Sequence, residues 1–366
     1  MKKSILFFGA LFAFSSFMAQ VRTTGLEFNK DKMKAAFSLI EKPLGFGANL
    51  PRKFSLERFV PSIGDQGNYG SCTGWSTTYY AATISYNILA ERAGLPFGRD
   101  MFAFDPMFTY QQIKFTDAND CSEGTYIEDA LVYFMEHGAK RKMIDEANCG
   151  WIPQWQNTVW KATGAWYLWD DYDNDITKIE AVCQMISEGN PVPFGMLVPE
   201  SFFNVGADGL FKPKADEDTY GGHAMTVVGY DDDKFGGAFR VVNSWGTSWG
   251  DKGFCWIKYE DFIRFVYNTY HFDAELEGVD NSIAAGTVFG VTATGFGIQK
   301  IPGKKGSVGF FEGFFENGVP TKGLYFNSSK IKGGKAGIKF MEKLIKKNGG
   351  FLIYDNDDIP IGCIIF

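Results

Sequence analysis

Small and apolar residues recur at helical spacing in three separate stretches of the chain. The first covers about 73–93, and the second and third cover 126–137 and 176–187; the two later ones stop at glycines, Gly138 and Gly189. Repetition at three and four residues places such side chains on one face of a helix, and a glycine is a common stop signal. We therefore predict three helices. In the first, the face is formed by Ala81, Ala82, Ile84, Ile88 and Leu89.

Apolar runs of strand length follow the last of these helices. They cover 193–198, 224–230, 238–243 and 254–259, with turn-forming aspartates and glycines between several of them. Helices thus precede strands along the chain. This order predicts a segregated α+β fold with a cleft between a helical half and a β-rich half.

The first residues are typical of an export signal. Lys2 and Lys3 precede an apolar run that is too short to span a bilayer, and a cleavage point at Ala19-Gln20 fits. We therefore predict a signal peptide over 1–19, with a buried N-terminal helix as the alternative. Residues 20–53 are weakly patterned, which predicts a leader or short propeptide.

No other stretch approaches the length of a membrane span. We therefore expect the mature protein to be exported to the periplasm, the cell surface or the medium. The net charge of −7 argues against nucleic-acid binding. The three histidines are scattered without the spacing of zinc ligands, so neither a metal nor a cofactor is expected.

The composition changes after about residue 280. Residues 281–366 are rich in glycine, and their lysines outnumber their acidic residues by eleven to six. We predict a small β-rich domain here, separate from a main domain over 54–275, with one short helix over 340–347. Residues 311–326 resemble one glycine-aromatic hairpin repeat of the MORN type. A glycan or cell-surface partner and a plain structural module are both open roles for this domain.

Two distant stretches carry candidate chemistry. Cys72 directly precedes the first predicted helix, where unpaired backbone N–H groups favour a thiolate. His223 follows two glycines and opens an apolar strand, and Asn243 ends a neighbouring strand and can fix the tautomer of the imidazole. Gln66 lies six residues before the cysteine, where its amide can donate to an oxyanion. Taken singly, each residue also has a purely structural interpretation.

The surrounding motifs favour the chemical interpretation. Gln-Gly-x-x-Gly-Ser-Cys over 66–72, Gly-His-Ala-x-x-x-Val-Gly-Tyr over 222–230 and Asn-Ser-Trp-Gly-x-x-Trp-Gly-x-x-Gly over 243–253 resemble the papain family of cysteine peptidases. The resemblance covers about residues 54–272. It implies a two-lobed papain-like fold, with a helical left lobe and a β-rich right lobe.

The resemblance also implies roles. Cys72 is expected to be the nucleophile, His223 the general base and acid, Asn243 the residue that orients the histidine, and Gln66 the oxyanion donor. Gly124 is expected to pair its backbone with the substrate. The tryptophan at 245 is expected to shield the bond between the histidine and the asparagine.

The resemblance further suggests a disulfide between Cys121 and Cys149. The leader is much shorter than the inhibitory propeptide of lysosomal relatives, so control by a folded prodomain is not expected. The most specific function is therefore an exported cysteine endopeptidase that acts on peptides or proteins. Two alternatives are a catalytically silent module that binds peptide or glycan, and a transpeptidase.

Overall fold

The computed structural model describes residues 22–29, 50–92, 99–100, 103–116, 121–142, 149, 160–170 and 172–275, and, between 294 and 365, five strands and two short helical pieces. The predicted signal peptide lies outside the described residues. The mixture of helices and antiparallel sheets agrees with the predicted α+β class. The division into domains at 54–275 and 281–366 stays a prediction.

Three helices form the helical half. Helix α1 runs from Cys72 to Arg92, and its parts are Cys72–Gly74, a π-helical stretch Trp75–Ala82, and Thr83–Arg92. Helices α2 and α3 cover Pro106–Ile113 and Ile127–Glu136. The predictions over 73–93 and 126–137 are therefore confirmed within the described residues. Helix α2 was not predicted.

Helix α4, Asp175–Glu188, confirms the third helix, and its two ends follow ordinary capping chemistry. The side chain of Asn174 accepts from the Thr177 N–H at the first turn. Gly189 ends the helix with a φ of 96°, a conformation that favours glycine. Two shorter helices follow: α5, Glu200–Phe203, and α6, Tyr259–Phe265.

Seven strands form the sheet of the β-rich half. Their order is β2-β7-β3-β4-β5-β6, with β1 paired to β4, and all pairings are antiparallel. The strands are β1 Lys53–Ser55, β2 Ala162–Tyr167, β3 Val192–Pro199, β4 Thr219–Asp231, β5 Ala238–Val242, β6 Phe254–Lys258 and β7 Val266–Ala274. The four predicted strands are β3 to β6. Strands β1, β2 and β7 were not predicted.

Strand β4 holds the two halves together. It contacts both α1 and α4, and its residues from 222 to 230 are all buried. The Ser76 hydroxyl of α1 donates to the Met225 carbonyl at 2.6 Å. Because the strand is covered throughout this stretch, it reads in the sequence as a continuous apolar run. This packing sets the start of α1 beside the start of the buried part of β4.

A second sheet lies in the C-terminal part of the chain. Its five strands pair in the order β11-β12-β10-β9-β8, and all pairings are antiparallel. The strands are β8 Thr294–Pro302, β9 Val308–Glu316, β10 Val319–Asn327, β11 Gly350–Tyr354 and β12 Pro360–Ile365. The β-rich prediction for this part agrees with these strands.

Strands β9 and β10 form a hairpin that sets Phe311 opposite Tyr325, within the segment likened to a MORN repeat. The repeat assignment itself stays a prediction. Of the predicted helix over 340–347, residues 342–343 and 345–347 are helical and the others lie outside the described residues. Over the described ranges, no helix is both long enough and apolar enough to cross a bilayer.

Candidate active site

Cys72 is the first residue of α1, and its thiol is fully buried. Burial raises the pKa of Cys72 to about 12, although backbone N–H groups of Ala224, Gly25, Thr73 and Cys72 itself favour the thiolate. Two of these amides belong to the first turn of the helix, as expected at a helix N-terminus. In this arrangement the sulfur is therefore held as a neutral thiol.

His223 lies next to Ala224 on β4 and is also fully buried. Its Nε2 is 2.8 Å from Asn243 Oδ1, which also accepts from the Ser244 backbone N–H at 2.8 Å. Because that oxygen is an acceptor, Nε2 must carry the proton. The other ring nitrogen, Nδ1, keeps its lone pair and has no hydrogen-bond partner among the described residues.

Burial also controls the charge of this histidine. It lowers the pKa of His223 to about 4, and the hydrogen bond that Nε2–H donates to Asn243 opposes that shift. The imidazole is therefore neutral at pH 7 in this arrangement. A neutral ring with a free Nδ1 is the form that can take a proton from a thiol.

Aromatic rings cover the bond between the histidine and the asparagine. The ring of Trp245 stacks on that of His223 at a centroid distance of 4.6 Å and an interplanar angle of 23°. Phe203 stacks on Trp245 at 5.2 Å, and Trp249 meets it edge-on at 5.4 Å. This layer excludes water from the bond, so the expected shielding by Trp245 agrees with the geometry.

Gln66 is fixed at both ends of its side-chain amide. Its Oε1 accepts from the Ser244 hydroxyl at 2.6 Å, and its Nε2 donates to the Tyr69 carbonyl at 2.9 Å and the Thr23 carbonyl at 3.2 Å. The amide nitrogen therefore already donates to two backbone carbonyl oxygens. Ser244 is a positioning residue that the sequence reasoning missed, although it stands beside Asn243 in the motif.

Residues 22–29 lie in the cleft between the halves, and we call them the cleft strand. Gly25 and Leu26 donate their N–H groups to the Gly222 carbonyl at 3.2 and 2.9 Å. On the helical side, Thr125 donates to the Gly25 carbonyl at 2.8 Å and accepts from Glu27 at 3.0 Å. The strand is antiparallel to Gly222 and parallel to Thr125. This placement was not predicted from the sequence.

The cleft strand covers the candidate catalytic residues. Its Thr23 carbonyl also accepts from Trp245 Nε1 at 3.2 Å, and Cys72, His223 and Gln66 are each exposed by 1% or less. Gly124 lies against the same strand, because a Cβ on it would stand 2.8 Å from the Gly25 carbonyl oxygen. The backbone pairing of the strand runs through the neighbouring Thr125. The role of Gly124 toward substrate stays a prediction.

The predicted disulfide between Cys121 and Cys149 is confirmed. The Gly70 N–H, two residues before Cys72, donates to the Cys121 carbonyl at 2.8 Å. The bridge therefore anchors the loop that supports the start of α1. Cys183, Cys255 and Cys363 are free and buried.

Comparison with known proteins gives a family match. The family described as "Papain family cysteine protease" matches residues 51–270. An uncharacterized peptidase C1-like protein of Acanthamoeba polyphaga mimivirus is 27% identical over 216 residues, and Cysteine proteinase 3 of Entamoeba histolytica is 28% identical over 195. These alignments cover 54% and 52% of this chain. The chain spans 64% and 57% of the length of these two relatives.

Solved structures agree in fold. Xylellain, a cysteine protease from Xylella fastidiosa, is 21% identical with a TM-score of 0.51, covering 69% of this chain and 95% of its own. A digestive procathepsin proteinase from the larval midgut of Tenebrio molitor is 22% identical with the same TM-score, covering 69% of this chain and 78% of its own. At these identities the likeness concerns the fold alone.

Proposed function

The chain belongs to the papain family of cysteine proteases, and on that premise we propose that it hydrolyses peptide bonds through a thioester on Cys72. The observation that carries the proposal is the state of His223. Its Nε2–H donates to Asn243, and its Nδ1 is free. Ala224, the next residue along β4, contributes a backbone N–H that faces the Cys72 thiol. These are the parts that an activated sulfur nucleophile needs.

The proposed reaction has two halves. In the first, Nδ1 of His223 takes the thiol proton while Cys72 Sγ attacks the peptide carbonyl carbon. The oxyanion accepts from Gln66 Nε2, and collapse expels the amine, which takes the proton back from the imidazolium. In the second, His223 deprotonates a water that attacks the thioester. Release of the carboxylic acid returns the proton to Sγ.

A cysteine replacement with a matched control tests this function. In the protein from which the cleft strand has been removed, Cys72→Ala is expected to abolish hydrolysis of peptide substrates and labelling by a thiol-directed epoxide, with an unchanged unfolding midpoint. Cys183→Ala removes another buried free thiol outside the cleft and is expected to keep both activities. Undiminished hydrolysis by Cys72→Ala would overturn the proposal. Labelling of the parent without hydrolysis would favour a transpeptidase, and the absence of both would favour a catalytically silent binding module.

We also propose that residues 20–53 are a short propeptide that keeps the enzyme latent. The cleft strand supports this, because its Gly25 N–H faces the thiol and Cys72 is fully buried. A substrate cannot reach the sulfur while the strand stays in place. The cleft strand pairs in parallel with Thr125 of the helical lobe and antiparallel with Gly222 of the β-rich lobe, so it contacts both lobes at once. Latency then needs only this strand, without a folded prodomain.

Cleavage between the strand and the enzyme tests the latency. A recognition sequence for a site-specific protease is inserted between Asn29 and Leu50, and peptide hydrolysis is measured before and after cutting. Activity is expected to appear only after cutting, while a scrambled recognition sequence leaves the chain latent. Full activity of the uncut chain would contradict this role for residues 20–53.

Export is the remaining part of the proposed function. It is supported by the basic and apolar start of the chain and by the disulfide between Cys121 and Cys149, since such bridges persist in oxidising compartments. Sequencing the N-terminus of the protein recovered from the producing cells tests the predicted cleavage after Ala19. A glycan or cell-surface partner for residues 281–366 stays a prediction.

A further inference from the structure

Gly195 on β3 opens a space that three side chains approach, those of Leu26, Asn268 and, at 3.2 Å from a Cβ at this position, Phe28. A Cβ on Gly195 would stand 2.4 Å from Leu26 Cδ2 of the cleft strand and 2.7 Å from Asn268 Oδ1 of β7. Gly195 and Asn268 are partners in the sheet, and Leu26 is buried. The leucine side chain and the amide oxygen therefore meet over the glycine. We call this space the Gly195 pocket.

A buried carboxylate fixes the orientation of that amide. Glu128 Oε1 accepts from the hydroxyls of Tyr270 and Tyr167, and Asn268 Nδ2 faces the same oxygen at 3.4 Å. Glu128 is 2% exposed. The end of the amide that faces this acceptor must be the donor, so the oxygen points the other way. That direction leads into the Gly195 pocket.

The amide oxygen has no hydrogen-bond donor. Asn268 is 3% exposed, and its Oδ1 has no partner among the described residues. Leu26 offers it only methyl groups. A buried acceptor that lacks a donor is costly, so a side chain that brings an N–H or O–H group binds better than its apolar counterpart.

We propose that the Gly195 pocket selects substrate side chains of leucine length or longer that end in a hydrogen-bond donor, with Asn268 as the specificity-determining residue. Glutamine is then preferred to methionine, and tyrosine to phenylalanine. The inference that a substrate side chain occupies the place of Leu26 rests on the proposed function. An extended substrate meets the same walls, Thr125 and Gly222, between which Leu26 now lies.

The first test uses the cleft strand itself and does not need hydrolysis. Leu26→Gln and Leu26→Met are compared in the full chain by the rate at which iodoacetamide alkylates Cys72, followed by mass spectrometry. A strand that is held more tightly uncovers the thiol less often. Leu26→Gln is expected to react about tenfold more slowly than Leu26→Met, the factor that corresponds to about 1.4 kcal/mol.

Variants of the asparagine complete this cycle. In Asn268→Leu, the alkylation rate of Cys72 is expected to be higher with Leu26→Gln than with Leu26→Met. Asn268→Ala is used in the same way if Asn268→Leu does not fold. If Cys72 stays unlabelled throughout, the thermal midpoints of the same proteins give the comparison. Equal behaviour of Leu26→Gln and Leu26→Met beside an intact Asn268 overturns the proposal.

The second test uses substrates. Peptides that differ only as glutamine against methionine, or tyrosine against phenylalanine, are compared at each position by kcat/KM with the processed enzyme. About tenfold preference for the donor member is expected at one position and is lost in the Asn268 variant. Preference for the apolar member at every position overturns the proposed selectivity. A complete lack of hydrolysis counts against the proposed function instead, and the alkylation comparison still decides the pocket.

Discussion

His223 is held at two points of its ring, and the two contacts control different properties. The bond from Nε2 to Asn243 fixes which nitrogen carries the proton. The stack on Trp245 fixes the plane of the ring and keeps water away from that bond. Neither contact uses Nδ1, which stays available for the thiol. Orientation is therefore built from residues that have no part in the proton transfer itself.

Ser244 does the same for Gln66, and this leads to a prediction. Its hydroxyl donates to Gln66 Oε1 and so directs Nε2 toward the cleft. Ser244→Ala is expected to lower kcat/KM about fivefold, mostly through kcat, because one hydrogen bond contributes about 1 kcal/mol and the oxyanion forms only during reaction. The readout is steady-state kinetics of the processed enzyme.

The double variant with Gln66→Ala provides the control. If the serine acts only through the glutamine, Ser244→Ala has little further effect once Gln66 is gone. Losses that multiply independently would show that Ser244 acts elsewhere. In that case its proximity to Gln66 would be structural only.

At the scale of elements, the cleft strand depends on one residue without a side chain. A Cβ on Gly25 would stand 2.4 Å from the carbonyl oxygen of Gly70, a backbone atom that cannot turn away. Gly25→Ala is therefore expected to displace the strand and to raise the alkylation rate of Cys72 in the uncut chain at least tenfold. Peptide hydrolysis before processing is expected to rise with it.

The neighbouring Glu27 supplies the matched control, because its side chain is exposed. Glu27→Ala keeps the backbone bond to Thr125 and is expected to leave the alkylation rate within twofold of the parent. A Gly25→Ala protein that stays as protected as Glu27→Ala would contradict the backbone clash. It would also weaken the case that this strand alone covers the site.

The disulfide gives a second prediction at this scale. Cys121 and Cys149 close a loop with a sequence separation of 28, for which loop entropy predicts about 3.6 kcal/mol of stabilisation. The double replacement by serine is expected to lower the free energy of unfolding by about 2–4 kcal/mol, measured by urea denaturation. Reductant is expected to destabilise the parent similarly and the serine variant hardly at all. A parent insensitive to reductant would contradict this.

Elements were predictable where local chemistry defines them. Helix α4 has its cap at Asn174 and its stop at Gly189, and β4 reads as an apolar run because it is covered throughout. Strand β7 was missed because its buried residues include Asn268, Thr269 and His271. Polar side chains of this kind are typical of exposed positions, so the sequence does not indicate a buried strand here. Their partners, such as Glu128, are 140 residues away and known only after folding.

The site divides in the same way. Cys72, His223 and Asn243 stand in motifs, so their proximity was predictable from the resemblance. The placement of Thr23 against Gln66 and Trp245 was not, because these contacts join residues that are 43 and 222 positions apart in the sequence. Helix α2 carries a usable local signal in the sequence, the Asp105 cap followed by Pro106. A prediction based on helical spacing alone does not use this signal.

At the scale of the whole molecule, the two sheets can be separated in an experiment. Among the strands that the structure describes, β8 to β12 pair only with one another. A chain that ends after residue 280 is therefore expected to keep the unfolding midpoint of the peptidase part within about 3 °C and to keep kcat/KM for short peptides. Calorimetry and peptide kinetics check this. Loss of folding would show that residues 281–366 belong to the same cooperative unit.

Acid is expected to open the covered molecule, and the sign follows from His223. Its pKa is about 4 in the covered cleft against 6.5 for the ordinary side chain, so the covered state binds fewer protons between these values. The covered state is fully favoured above pH 6.5 and loses stability as the pH falls toward 4, by about 3 kcal/mol in total. In Cys72→Ala, the hydrogen-exchange protection of the Leu26, Glu27 and Thr125 amides, corrected for intrinsic rates, should fall by up to tenfold per pH unit.

His223→Gln, which does not titrate in this range, should flatten the profile. Constant protection from pH 7 to 4, or an unchanged profile in His223→Gln, would exclude His223 as the acid-sensitive group.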